Sequence, residues 1–85
     1  MTYSYRTRGV CSQEMRVELD DGNIIRRVEI VGGCNGNLQG ISRLVEGMKA
    51  EDAIGRLRGI CCGAKTTSCP DQLAVALSEA LAQKG

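Results

Sequence analysis

Cysteine is the residue type in this sequence that offers the most chemistry. We predict that all five cysteines lie in loops or directly before a helix, at the ends of strands and helices. Cysteines of a hydrophobic core usually fall on the apolar period of a helix or strand, whereas loops bring metal-binding sulfur atoms together in a tetrahedron. This placement is typical of thiolate ligands, at positions Cys11, Cys34, Cys61, Cys62 and Cys69.

Cys69 stands directly before a helix that we predict to begin at Pro70. A side chain at the start of a helix faces unpaired backbone N–H groups and the positive end of the helix dipole, and both favour a thiolate. A thiolate is the form that binds a metal ion and also the form that acts as a redox nucleophile. The position therefore predicts a functional thiol at Cys69 without choosing between these two roles.

Three interpretations of the cysteines remain open. The spacing contains no C-x-x-C pair of the kind common in zinc ribbons and thioredoxin-like sites, and six residues separate Cys62 from Cys69. We favour a metal site, with zinc first and an iron–sulfur cluster as the alternative that also takes four thiolates. Redox or persulfide chemistry and simple burial as small apolar side chains are the other two. Because the sequence has no histidine, a mixed histidine and cysteine site is excluded.

Other polar residues form weaker functional patterns. Asp71 could be a catalytic carboxylate, but an acidic side chain in the first turn of a helix ordinarily stabilises the helix dipole. The arginines of the predicted sheet could contact phosphate or a partner, although a solvated sheet face is the ordinary interpretation. We therefore predict no catalytic residue. The arginines concerned are Arg6, Arg8, Arg16, Arg26 and Arg27.

The elements that position the cysteines begin with three strands. Alternating apolar and polar residues predict strands over 3–8, 14–20 and 23–31. Asp21 and Gly22 form a favoured two-residue hairpin turn between the second strand and the third. The first third of the chain is therefore predicted to be an antiparallel sheet.

A two-residue turn also predicts the register of this hairpin. It places Leu19 opposite Ile24 and Met15 opposite Val28, so that these apolar side chains share one face. Arg26 does not fit this arrangement, because the same register places it on the mostly apolar face. We predict that Arg26 lies at an edge and extends its charged head to water.

Two or three helices follow the sheet. Apolar residues at helical spacing predict a first helix over 38–48 with Asn37 as its N-cap, and a shorter one over 49–58. Pro70 at the first helical position, followed by an apolar stripe to Leu81, predicts the last helix. The order of elements indicates an α+β fold, in which a three-stranded antiparallel sheet is followed by two or three helices packed on one face.

Length and composition limit the classes of function. With 85 residues the chain has room for one domain, residues 1–85, and it lacks Phe and Trp, so a bound metal would add useful stability. The net charge of +1 provides no broad field for nucleic acid or anionic lipid. The charged N-terminal segment and the lack of a long apolar run predict a cytoplasmic protein without a membrane span. In that reducing compartment disulfides are rare.

The chain contains the five-residue motif after which the TSCPD domain family is named, Thr67-Ser68-Cys69-Pro70-Asp71. Further segments resemble the small stand-alone members of that family, namely 5–11, 32–37, 41–49 and 59–63. The resemblance covers nearly the whole chain and implies that the four signature cysteines are Cys11, Cys34, Cys62 and Cys69. Cys61 is then an additional thiol, which could compete with Cys62 as a ligand.

Related domains occur at the C-terminal end of vitamin B12-dependent ribonucleotide reductases, so the resemblance implies an accessory role linked to that enzyme and to DNA synthesis. A reductase needs a large barrel, a radical generator and nucleotide sites, which 85 residues cannot house. The implied function is a zinc-binding module that docks on the reductase or another protein, or binds nucleotide or nucleic acid. The alternative is a thiol redox or iron–sulfur protein that uses Cys69 with Cys62. A monomer and a homodimer are both compatible with an open sheet edge.

Overall fold

Three antiparallel strands followed by three helices make up the part of the chain that the computed structural model describes, residues 2–7, 12–32, 35–60 and 68–84. The elements are β1 (Thr2–Arg6), β2 (Ser12–Leu19), β3 (Ile25–Gly32), α1 (Asn35–Val45), α2 (Ala50–Leu57) and α3 (Cys69–Lys84). β2 lies between β1 and β3 and pairs antiparallel with both. The predicted α+β fold is confirmed. Within these residues, no helix is both long and apolar enough to cross a bilayer.

The hydrophobic core lies between one face of the sheet and the helices. Met15, Val17 and Leu19 of β2 are buried, because successive side chains of a strand point to opposite faces. α1 packs against β3, whereas α3 packs against β1, β2 and α2. The buried apolar residues of α3 are leucines and alanines, which let the helix contact all three neighbours without an aromatic side chain: Leu73, Ala74, Ala76, Leu77 and Ala80.

The turn between β2 and β3 has three residues, so the predicted two-residue turn is wrong. The N–H of Asn23 donates to the backbone O of Asp20 at 3.0 Å, and Asn23 has a left-handed backbone with φ of 62°. The carboxylate of Asp20 accepts the N–H groups of Gly22 and Ile24, both at 2.9 Å. These side-chain hydrogen bonds, and the tolerance of Asn for positive φ, favour the longer turn.

The longer turn and a β-bulge change the predicted register of the hairpin. Leu19 lies opposite Ile25 rather than Ile24, a shift of one residue that follows from the third turn residue. Beyond the bulge, Met15 lies opposite Ile30, a shift of two residues from the prediction. Because the side chains of a strand alternate with a period of two, a shift of two keeps the apolar residues of both strands on the buried face.

The bulge also turns Arg26 away from the core. Val28 lies opposite Val17 and not opposite Met15. Val28 therefore takes the place on the apolar face that the predicted register gave to Arg26. Arg26 is exposed, and its guanidinium pairs with the carboxylate of Asp20 at 2.7 Å. A bulge inserts an extra residue into one strand and re-aims the side chain at that point. The prediction that Arg26 lies on the mostly apolar face is wrong for this reason.

A short backbone pairing joins the start of β3 to the chain between α1 and α2. The N–H of Ile25 donates to the O of Met48 at 2.8 Å, and the N–H of Gly47 donates to the O of Ile25 at 2.7 Å. The N–H of Ala50 donates to the O of Asn23 at 2.9 Å. These bonds pair polar groups at the outer edge of the sheet beside the hairpin turn, where an open edge would otherwise be exposed.

Two helices begin earlier than the sequence predicts. Asn37 is the third residue of α1 rather than its N-cap, and Cys69 is the first residue of α3. Pro70 is therefore the second residue of α3 instead of its first, and Ser68 takes the N-cap position. Proline is tolerated throughout the first turn, because N–H groups there have no partner within the helix.

We predict that Leu77→Ala lowers the free energy of unfolding by about 2–5 kcal/mol, because truncating a large aliphatic side chain in a packed core leaves a cavity. Leu77 is 0% exposed, whereas Leu44 is 77% exposed and provides a matched control. For Leu44→Ala we expect a change of less than about 0.5 kcal/mol. Urea unfolding followed by circular dichroism measures both, and equal effects would contradict the assigned core.

Asp20 makes the stability of the hairpin depend on pH. The hydrogen bond from the N–H of Ile24 is the main cause that lowers the pKa of Asp20 below its ordinary value of 3.8, and Arg26 lowers it further. A pKa lowered by folding stabilises the folded state above pH 3.8, and this contribution is lost as the pH falls through the folded-state value. We therefore expect the stability difference between wild type and Asp20→Asn, measured by urea unfolding, to shrink on acidification. A difference that grows would contradict this role.

Candidate functional site

Cys69 occupies the first helical position of α3. Its side chain is half-buried and packs against the edge of the hydrophobic core. Ser68 precedes it as the N-cap, since the N–H of Asp71 donates to the Ser68 hydroxyl at 3.2 Å and the N–H of Gln72 donates to the Ser68 carbonyl at 2.8 Å. Helix capping therefore holds the backbone of Cys69 in a defined place.

Two side-chain contacts join the end of α2 to the start of α3. The N–H of Gly59 donates to Oδ1 of Asp71 at 2.7 Å, and the hydroxyl of Ser68 donates to the carbonyl of Ile60. Gly59 has a left-handed backbone with φ of 85°, which glycine adopts readily just beyond a helix. We call these two contacts the α2–α3 clamp. The clamp holds Ile60 and Ser68, the described residues that flank segment 61–67, next to each other.

One end of the sheet contains the residues next to Cys11 and Cys34. Ser12, which follows Cys11, is paired with Gly32 across the β2–β3 ladder. Gly32 comes two residues before Cys34, and Asn35, the first residue of α1, comes directly after it. The described neighbours of these two cysteines therefore meet where β2 begins and β3 ends.

Two tyrosines determine the direction of α3 relative to the sheet. The OH of Tyr5 donates to Oε1 of Gln72 at 2.9 Å, and the OH of Tyr3 donates to Oε1 of Glu79 at 2.6 Å. The second bond is the main cause that raises the pKa of Tyr3 above its ordinary value of 10.0. Because Tyr5 comes late in β1 and Gln72 comes early in α3, the start of α3 lies toward the end of β1. That is the same end of the sheet at which β2 begins and β3 ends.

The structure therefore brings described neighbours of every predicted ligand toward one end of the sheet. Cys11, Cys34, Cys61 and Cys62 themselves lie outside the described residues, so their roles stay predictions. In the described part of the chain, no three His, Cys, Asp or Glu side chains form a group that could hold a metal ion. That finding concerns Cys69 and the acidic residues, and not the predicted set of four thiols.

Two arginines of the sheet, Arg16 and Arg27, take part in ion pairs on its exposed face. Arg16 binds the carboxylates of Glu14 at 2.7 Å and Glu29 at 3.1 Å, and Arg27 binds Glu29 at 3.4 Å. Glu29 lies directly across from Arg16, whereas the other two pairs join residues two positions apart on one strand, and these acids offset the positive charge of the arginines. This arrangement fits a solvated sheet face better than a phosphate-binding surface. Arg8 lies outside the described residues.

The sequence predicts neither the capping role of Ser68 nor the contact of Gly59 with Asp71, although a helix end at Gly59 is expected from its residue type. A signal for Ser68 is present, since Ser followed three residues later by an acidic residue is typical of a helix N-terminus. In the usual capping box that acidic side chain reaches back to the N-cap, but Asp71 binds the N–H of Gly59 instead. This bond joins residues 12 positions apart, which local sequence patterns do not predict.

A small α+β domain, in which described neighbours of the cysteines meet at one end of the sheet, is the class of protein that this fold defines. The family model described as TSCPD domain matches residues 1–81 of the 85-residue chain. The chain therefore belongs to the TSCPD domain family, as its five-residue motif predicts. Comparison with curated proteins gave no match, and neither did comparison with solved structures.

Proposed function

We propose that this chain is a small accessory module built around a four-thiolate metal site with zinc as the ion. The proposed ligands are Cys11, Cys34, Cys62 and Cys69. The observation that supports the proposal is the convergence, at one end of the sheet, of the chain segments next to these four cysteines. This convergence has two halves, one in the sheet and one between the helices.

The first half is the pairing of β2 with β3. Cys11 is one residue from Ser12, and Cys34 is two residues from Gly32. Ser12 and Gly32 are themselves partners in the ladder, and partner residues of an antiparallel pair lie about 4.5–5.5 Å apart at Cα. Each further residue extends the chain by at most about 3.6 Å. Two thiols on such short extensions are within reach of a common ion.

The second half is the α2–α3 clamp. Cys62 is two residues from Ile60, and the carbonyl of Ile60 accepts the hydroxyl of Ser68, the residue before Cys69. The chain leading to Cys62 therefore starts beside Cys69. Because α3 runs antiparallel to β1, this second pair starts near the end of the sheet that carries the first pair.

The chemistry of the donor set favours zinc. Without histidine, the proposed site offers thiolates alone, and four of them complete the tetrahedral coordination of a structural zinc site. The bound ion would supply a cross-link among loops, and its binding free energy would contribute to folding. Such a contribution suits a short chain whose core is built from aliphatic residues and alanine. An iron–sulfur cluster is the alternative occupant of four thiolates.

Membership of the family supports a protein partner. Since related domains form part of ribonucleotide reductases, we propose docking on such a reductase or on another protein, with a role connected to DNA synthesis. A nucleic acid or nucleotide partner has less support, because the net charge is +1 and arginines of the sheet are paired with acids.

We expect protein expressed without an affinity tag to contain about one zinc ion per chain, measured by inductively coupled plasma mass spectrometry. A strong chelator should remove the ion and lower the free energy of unfolding, because the cross-link is lost. A serine substitution at each proposed ligand should reduce the zinc content, since serine does not provide a thiolate. These ligands are Cys11, Cys34, Cys62 and Cys69.

The matched control for this experiment is Cys61→Ser, which removes a neighbouring thiol that the proposal leaves outside the site. This variant should retain the zinc content of the wild type. Iron together with acid-labile sulfide, found in place of zinc, would identify the cluster alternative. A chain that keeps its fold with well under one equivalent of either metal would refute the proposed site.

A thiol redox protein is the second candidate, and the position of Cys69 favours it. Cys69 lies in the first turn of α3, and the clamp holds the chain that leads to Cys61 and Cys62 beside it. In the simplest reaction, Cys69 and one of these thiols form a disulfide and give up two electrons and two protons to hydrogen peroxide, which is reduced to water.

The two candidates predict different thiol reactivity in the metal-loaded protein. For the metal site, we expect iodoacetamide to modify Cys61 quickly and the four proposed ligands slowly at neutral pH, because a bound ion shields its thiolates. Peptide mass spectrometry reads each position, and removal of the metal should make all five thiols reactive. Rapid modification of Cys69 in the loaded protein, with a disulfide to Cys62 or Cys61 after mild oxidation, would support the redox function instead.

A further inference from the structure

We propose that Ser68 and Asp71 are positioning residues, which set the affinity of the cysteine site for its metal ion through the α2–α3 clamp. The inference rests on the proposed function for the identity of the site, whereas the clamp itself consists of described residues. Both side chains project from the start of α3 and bind the backbone at the end of α2. Their targets, Gly59 and Ile60, come just before the two cysteines of segment 61–67.

Asp71 binds a backbone N–H group at the end of α2. Its Oδ1 accepts the N–H of Gly59 at 2.7 Å, a distance typical of hydrogen bonds to an ionised group. Gly59 has a left-handed conformation, and its N–H lies just beyond the helix, where the helical ladder has ended. A residue with a β-carbon adopts that conformation less readily, so glycine and aspartate act together.

Ser68 acts in two directions at once. Its hydroxyl accepts the N–H of Asp71 and donates its own hydrogen to the carbonyl of Ile60, which uses the donor and an acceptor of one small group. Ser68 is buried, so its hydroxyl is satisfied by these partners rather than by bulk water. One side chain therefore caps α3 and also binds the backbone of Ile60, the last described residue before segment 61–67.

The clamp brings Ile60 and Ser68 together before a metal ion binds. Without it, the ends of the segment between Ile60 and Ser68 would be held together less closely, and metal binding would have to supply more of the free energy for closing that loop. A binding site held in its bound arrangement has the higher affinity. The clamp should therefore strengthen zinc binding although neither side chain is a proposed ligand.

The chemistry of the two contacts defines the informative variants. Asn at position 71 keeps an oxygen acceptor for the N–H of Gly59, and Thr at position 68 keeps a hydroxyl. Asp71→Ala removes the oxygen acceptor, and Ser68→Ala removes the hydroxyl. If positioning by hydrogen bonds is the mechanism, the conservative variants should behave like the wild type and the alanine variants should not.

Zinc affinity is measured for each full-length variant by competition with a chromogenic chelator. We expect Asp71→Ala and Ser68→Ala each to bind zinc about tenfold more weakly, at the lower end of the effect of supporting residues around metal sites. Asp71→Asn and Ser68→Thr should remain within about threefold of the wild type, since they keep the hydrogen-bonding groups. Amide hydrogen exchange at Gly59 should accelerate in Asp71→Ala and not in Asp71→Asn.

Ser78→Ala is the matched control. Ser78 also belongs to α3 and also contacts the end of α2, because the guanidinium of Arg58 donates to its hydroxyl at 3.3 Å. This contact leaves the backbone of Gly59 and Ile60 untouched. Zinc affinity and the exchange rate at Gly59 should therefore match the wild type. This result would show that the clamp, and not any contact between the two helices, sets the zinc affinity.

The possible failures are distinguishable. Wild-type zinc affinity in both alanine variants would overturn the inference and leave the four-thiolate site intact. Equal loss in Asp71→Ala and Asp71→Asn would overturn positioning by a hydrogen bond, because only the charge would then matter. Absence of zinc from the wild type would overturn the proposed function and this role with it. Circular dichroism checks folding, and Ser68→Ala tests the clamp independently if Asp71→Ala does not fold.

Discussion

The packing of α3 against β1, β2 and α2 is the interaction on which the rest of the structure depends. Its buried leucines and alanines contribute the helical side of the core, and Leu73 and Leu77 are fully enclosed. Tyr5 and Tyr3 bind Gln72 and Glu79 along the same helix, so its direction is defined as well as its position. This direction brings Cys69 toward the end of the sheet where the other cysteine-bearing segments begin.

Local polar interactions refine the sheet without disturbing this core. The carboxylate of Asp20 binds two backbone N–H groups and the guanidinium of Arg26, which favours a three-residue turn. The bulge that follows turns Arg26 outward and restores the alternation of buried and exposed residues beyond it. A one-residue slip would have exposed the apolar side of β3, and the second shift cancels that effect.

Two residues of the family motif have structural roles in this arrangement. Ser68 caps α3 and binds Ile60, while Asp71 binds Gly59, so two of the five motif residues connect α2 to α3. Cys69 stands between them at the start of the helix. These contacts hold the end of α2 beside the start of α3, which is the arrangement that the proposed metal site requires.

Sequence alone determined the types and order of the strands and helices, the family, and the location of the cysteines next to element ends. These features follow from periodicity, turn residues and motifs, which act over a few residues. Tertiary structure decided the hairpin register, the start of α3 at Cys69 and the clamp between Gly59 and Asp71. It also decided the meeting of Ser12, Gly32 and the start of α3 at one end of the sheet, because contacts such as that between Tyr5 and Gln72 join residues 67 positions apart. No local pattern contains such a contact, since it forms only when the whole core packs.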